Sequence, residues 1–163
     1  MGRIDRLRSI TMSSIEAFLS SLERPETVLP QLVKEMADRL PVPNALRDLG
    51  RLAAEFHTHC HRAFELRAST ILGVFEKTDA FRRPERFERF LLACEADSRG
   101  RTGFEDRDYP QVDYLRGALA AATAIETVDL TTGNLEGAGI GRAISERRLA
   151  ALRNYKRDYE PPK

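Results

Sequence analysis

The sequence predicts an all-α protein, a compact bundle of six or seven helices, and three observations lead there. Apolar residues recur every three to four positions through nearly every long segment, the spacing that lines one face of a helix. No stretch alternates apolar and polar residues convincingly enough for a half-buried strand. Prolines and glycines cut the periodic stretches into pieces of ordinary helix length.

In chain order, Ile4, Leu7, Thr11, Ile15, Phe18 and Leu22 share one face of a first helix. Ser13 and Glu16 have capping-box spacing, so that helix begins as late as residue 14. Arg24-Pro25 breaks it. A second helix runs from about Pro30 to Leu40, where Pro41-Val42-Pro43 interrupts. Pro43 suits a first helical turn, and Leu46, Leu49, Ala53, Phe56 and Cys60 follow as an apolar stripe. Ser69 or Thr70 caps a shorter helix containing Ile71, Leu72 and Phe75. Pro84 starts the next, with Phe87, Phe90, Leu91 and Cys94 inward. Residues 100–110 form a polar loop. Pro110 opens a helix with Val112, Leu115, Leu119 and Ala122 on one side. Gly133, Gly137, Gly139 and Gly141 mark a turned link into a last helix over about 140–157.

With 163 residues the chain has the length of one domain and buries a core without staples. Its 42% hydrophobic and 31% charged residues fit a soluble globular protein and not a disordered one. Lys plus Arg number 26 against 25 Asp plus Glu, a net charge of +1. A nucleic-acid partner therefore has to be argued from how the arginines are arranged. Cys60 and Cys94 lie in helical apolar patterns and read as free, buried thiols of a reducing compartment. No apolar run approaches the ~20 residues of a membrane span, and no signal-peptide core opens the chain. A cytoplasmic location with no membrane partner is the expectation.

Three histidines in five residues raise a metal reading. His57 and His61, four apart, face the same way on a helix, and His59 points elsewhere. A third ligand is missing nearby in sequence, so a solvated or hydrogen-bonded helix face is favoured. Asp106-Arg107-Asp108 has the spelling of a two-metal phosphoryl-transfer site. It lacks the rigid strand and glycine-rich turn such chemistry needs. No nucleophile has a base beside it, and no phosphate-cradling loop occurs. The arginines are better candidates. Arg82, Arg83, Arg86 and Arg89 cluster at a helix start, Arg99, Arg101 and Arg107 follow, and the last helix adds Arg142, Arg147, Arg148, Arg153, Lys156 and Arg157. Guanidinium groups neutralise backbone phosphates and tolerate the irregular shape of folded RNA. Against this, Glu85, Glu88, Glu105, Asp106 and Glu146 lie among them. The neighbouring phenylalanines read as core and not as base-stacking platforms.

Five segments then add a resemblance. Cys94-Glu95-Ala96-Asp97-Ser98-Arg99-Gly100-Arg101-Thr102-Gly103-Phe104-Glu105 with Tyr109-Pro110-Gln111 is similar to a block near the C-terminus of bacterial CCA-adding tRNA nucleotidyltransferases, in the multifunctional branch that bears an HD phosphohydrolase domain. Val42-Pro43-Asn44-Ala45-Leu46-Arg47-Asp48-Leu49, Ala53-Ala54-Glu55-Phe56-His57 and Asp79-Ala80-Phe81-Arg82-Arg83-Pro84-Glu85-Arg86-Phe87-Glu88 look like the same family in the same order. Gly137-Ala138-Gly139-Ile140-Gly141-Arg142-Ala143-Ile144 resembles its closing helix. The likeness spans roughly residues 31–158, and together the segments are specific.

The resemblance implies an organisation: 1–28 as an amphipathic extension outside the family, 29–108 as the C-terminal half of an HD domain, and 109–163 as tail helices that bind tRNA. It implies a tRNA partner gripped along its acceptor and T arms, with Arg82, Arg83, Arg86, Arg99, Arg101, Arg142, Arg147, Arg148, Arg153, Lys156 and Arg157 as RNA-binding candidates and no DNA partner. Magnesium, CTP and ATP are implied for the complete enzyme only. The family's catalytic head has no counterpart here. No His-Asp dipeptide occurs, since His57, His59 and His61 are followed by Thr, Cys and Arg. Ala96-Asp97 looks like the closing motif of an HD domain, which would make Asp97 a metal ligand beside His57 and His61. An Asp97 paired with Arg99 or Arg101 near a helix end is the favoured alternative. The initial Met and the foreign leader favour a shortened gene product or a vector-derived leader over a proteolytic piece. Three readings stand in order: a tRNA-positioning part inactive alone, a helical module that self-associates through an exposed HD half-interface, and a residual metal-dependent phosphohydrolase.

Overall fold

The computed structural model describes residues 25–40, 42–100, 102–125 and 137–160. The expected first helix over residues 4–22, Arg101 and Gly133 lie outside them. Among the described residues the protein is all-α, with six helices, one 3-10 turn and no strand. The chain divides into two units, 1–55 and 56–163, and α2 runs across the division.

In the first unit, α1 (Pro25–Arg39) starts at Pro25 and continues through Pro30, the expected start. The difference has a simple cause. At a first helical position the missing proline N–H had no partner to lose, and Pro30 forfeits only one intrahelical bond. α2 (Asn44–His61) begins as expected, with the Leu46 and Arg47 amides both donating to the Pro43 carbonyl, at 3.0 Å. Arg47 joins it to α1, donating to Asp38 at 3.2 Å and to the Ala37 carbonyl at 3.1 Å. The expected stripe is corrected at one end. Leu46 is 59% exposed, and the buried line runs through Leu52, Phe56 and Cys60, at intervals of four.

The second unit holds the main core. The 3-10 turn Ala63–Glu65 leads to α3 (Ala68–Lys77), then α4 (Pro84–Arg99), α5 (Gln111–Thr123) and α6 (Gly137–Asp158). α6 lies along both α3 and α5, and α4 touches α5. Phe75, Phe87, Phe90, Leu91, Cys94, Val112, Leu115 and Leu152 are fully buried, each such apolar side chain worth roughly 1.5–3 kcal/mol. Phe75 and Phe87 meet edge to face at 5.3 Å. As expected, Pro84 opens α4, Phe87, Phe90, Leu91 and Cys94 face inward, and both cysteines are free and buried. Burial and a hydrogen bond join the two thiols. The bond to Cys60, and then burial, push the Cys94 thiol far above its ordinary range.

α3 ends in a Schellman motif. Asp79 takes a left-handed conformation at φ 57°, the Ala80 amide donates to the Phe75 carbonyl at 2.8 Å and the Asp79 amide to Glu76 at 3.1 Å. The buried Thr78 hydroxyl donates to the Val74 carbonyl at 2.7 Å. This turn aims the arginine-rich segment into α4.

α6 is held by aromatics that periodicity had not singled out. Tyr114 of α5 is buried against Phe64, Tyr155 and Tyr159, with ring centroids 5.0, 5.5 and 4.7 Å away. Gly117 lies one turn further along α5 because Tyr155 covers it: a Cβ there would stand 2.8 Å from the Tyr155 Cζ. α6 also starts earlier than expected and runs through Gly139 and Gly141, which are helical residues and not a link.

Candidate nucleic-acid interface

Each arginine group owes its surroundings to the element that presents it. At the start of α4, the Asp79 carboxylate sits between Arg82 (3.9 Å) and Arg83 (3.4 Å). Arg86 reaches back to the Thr78 carbonyl at 3.4 Å. Arg99 pairs with Glu95, one helical turn earlier, at 3.0 Å. In this part of the arginine-rich sequence Arg82 and Arg83 thus share one carboxylate, and Arg99 has one of its own.

α6 divides its cations. The Arg148 guanidinium lies 3.6 Å above the Phe81 ring, and burial lowers its pKa. Lys156 is half-buried and donates to the carbonyls of Phe64 (2.6 Å) and Leu66 (2.7 Å), tying α6 to the segment before α3. Arg147 is half-buried. Arg142, Arg153 and Arg157 are exposed. Arg157 forms a bidentate pair with its neighbour Asp158, at 2.9 and 3.3 Å. Arg153 has no ion-pair partner among the described residues, and neither has Arg67, which the sequence had not marked. Nothing in the sequence around Arg67 signals it. It gains significance only because folding brings the start of α3 beside the end of α6.

The histidines form a hydrogen-bonded face. His57 and His61 stand with ring centroids 5.7 Å apart, and His59 turns away to meet the edge of Phe56 at 5.8 Å. Both nitrogens of His61 are engaged: Nε2 with Asp97 Oδ2 at 3.0 Å and Nδ1 with the Tyr109 hydroxyl at 2.7 Å. The Tyr109 hydroxyl also donates to the Cys60 Sγ at 3.5 Å, and burial raises its pKa. The expected partner of Asp97 is thus corrected. It meets His61 across the helices, while Arg99 turns to Glu95, which its position one turn away on the same helix makes the nearer carboxylate. Among the described residues no group of three or more His, Cys, Asp or Glu is placed to hold a metal ion. Magnesium, implied for the complete enzymes, finds no fitting ligand set among them.

The chain is 56% identical over 128 residues to the multifunctional CCA protein of Thioalkalivibrio sulfidiphilus, covering 78% of this chain and 31% of that protein. It is 46% identical over 136 residues to that of Hahella chejuensis, covering 83% and 32%. For Pseudomonas aeruginosa the identity is 47% over 127 residues, covering 78% and 31%. The chain is homologous to the C-terminal part of multifunctional CCA proteins. It spans about a third of the length of these relatives. No family model and no solved structure matches it. The five segments that carry the resemblance fall on α2, α4, α6 and the turns and loop flanking α4.

Proposed function

We propose that this chain is the tRNA-positioning part of a CCA-adding nucleotidyltransferase, supplying grip and no nucleotidyl-transfer chemistry. The observation that carries this reading is its 44–56% identity to part of the multifunctional CCA proteins. The exposed cations Arg142 and Arg153 on α6 support it by charge, and Arg157, Arg82 and Arg83, which have a carboxylate beside them, add less. In this reading residues 29–108 correspond to the end of an HD domain and 109–163 to tail helices against the acceptor and T arms. CTP, ATP and magnesium act elsewhere in the complete enzyme. A cytoplasmic setting goes with a tRNA partner. No described helix is long and apolar enough to cross a membrane.

The test is a salt-dependent titration with tRNA lacking its CCA end, an unrelated RNA duplex serving as control. Preferential binding that weakens steeply with salt is expected; no binding at low salt overturns the proposal. One observation favours a second reading, self-association. Leu32, Met36 and Leu40 recur every four residues along α1 and its end and are 48–57% exposed, with Leu46 close behind. A concentration-independent monomer mass by light scattering removes it.

A further inference from the structure

Between the start of α3 and the end of α6 lies an open cleft of about 520 Å³, lined by Arg67, Ala68, Ser69, Arg153, Lys156 and Arg157. Four of its six lining residues are cations and none is a carboxylate. We propose that this cleft binds one phosphate group.

Three features of the cleft converge on an oxyanion. Arg67 and Arg153, exposed and without ion-pair partners among the described residues, come from different elements and flank the same space. Planar guanidinium groups bind phosphate oxygens bidentately. Lys156 donates to the Phe64 and Leu66 carbonyls and keeps a third ammonium hydrogen for a ligand. Its charge is thus fixed in place at the cleft by the fold. Finally, the expected caps of α3 are not caps. The helix begins at Ala68 behind Arg67, whose side chain makes no capping bond, so Ser69 falls inside the first turn. The Thr70 and Ile71 amides donate to the Arg67 carbonyl at 2.9 and 3.0 Å, and the Ala68 and Ser69 amides have no such partner. Two unused N–H groups at the positive end of a helix, beside four cations, supply directed donors where the arginines supply charge. Arg157 is shared with Asp158, but that exposed neighbour pair is weak and Asp158 stays out of the lining.

A phosphate reaches such a site from an RNA backbone or as a free phosphate. The first source rests on the tRNA reading; the cleft geometry does not. The test follows the Ala68 and Ser69 amides of the ¹⁵N-labelled 163-residue chain by NMR. Inorganic phosphate and tRNA lacking its CCA end are titrated separately at low ionic strength, with chloride at matched ionic strength as control. Phosphate should shift both amides where chloride does not. Arg67→Glu and Arg153→Glu, on exposed residues that leave the core intact, should each weaken phosphate roughly tenfold or more, while Arg153→Lys, which keeps the charge but loses the two-pronged contact, should weaken it less than the reversal does. The same amides moving with tRNA, and competed by phosphate, identify the RNA backbone as the source. Phosphate shifts without any tRNA binding support the cleft and remove the tRNA reading. If tRNA binds but leaves these amides unmoved and ignores both reversals, the cleft proposal falls and the tRNA reading stands. Shifts no larger than those from chloride overturn it outright.

Discussion

Two arginine-rich regions of similar appearance in sequence have opposite fates in the fold. Before α4, Arg82 and Arg83 share the Asp79 carboxylate, and Arg86 is drawn to the Thr78 carbonyl. At the end of α6, Arg153 faces a cleft with Arg67 opposite and no carboxylate lining it. The first region is dense in positive charge but holds its counterion within one helical turn. The second is sparse along the chain and concentrated only in space. Local arginine density is thus a poor measure of a phosphate-binding surface, because the field outside the protein depends on which carboxylates lie within a few ångströms.

The largest way to break this contrast is to remove what holds α6 in place. Tyr114→Ala deletes the ring packed between Phe64, Tyr155 and Tyr159 and should cost about 3–5 kcal/mol by urea denaturation. The cleft should be lost with it, while Asp79 keeps its arginines, since that turn belongs to α3 and α4. A loss under about 1 kcal/mol would show that α6 is held by something else. Lys156→Met is the next largest. It leaves the Phe64 and Leu66 carbonyls without their charged donor and should cost about 1–3 kcal/mol of stability.

Arg153→Ala sharpens the comparison from the other side. Stability should change by less than about 0.5 kcal/mol, as for surface positions generally, while the slope of tRNA affinity against salt should fall by about one. Arg83→Ala, tied to Asp79, should move that slope less. Equal slopes for the two variants would erase the distinction between the regions.

The smallest effect is a pH dependence. Arg116 of α5 bonds Glu88 of α4, with Nε donating at 3.0 Å, and holds that carboxyl below the usual range. A folded-state pKa below the unfolded value contributes stability above the unfolded pKa and loses it as pH falls through the folded one. The pair is largely solvent-exposed, so about 0.5 kcal/mol is expected, present at pH 6 and gone once the pH is well below 4. Arg116→Ala should flatten that portion of a urea-midpoint profile. An unchanged profile would mean the pair contributes nothing.

The order and type of the helices were legible in the residues. Each of the six described helices was expected, and the inward face of α4 was correct residue for residue, because burying one face of a helix demands apolar positions every three to four residues. Boundaries were less legible. Pro25 and Gly139 look like breakers, yet one stands where a missing N–H costs nothing and the other is carried by a long packed helix. Tyr114 escaped notice because its packing partners are up to 50 residues distant in sequence. The candidate phosphate cleft escaped for the same reason, since Arg67 and Arg153 carry no shared local pattern.

By itself the sequence determined the helical class, the apolar faces, the free buried thiols and the likeness to multifunctional CCA proteins, all properties that nearest neighbours along the chain encode. Only the tertiary structure decided which charges remain available. Whether a cation is spent on a carbonyl as Lys156 is, stacked on a ring as Arg148 is, or left facing a cleft depends on groups brought together from distant segments. Electrostatic interactions act through space, so packing supplies partners that adjacency along the chain does not.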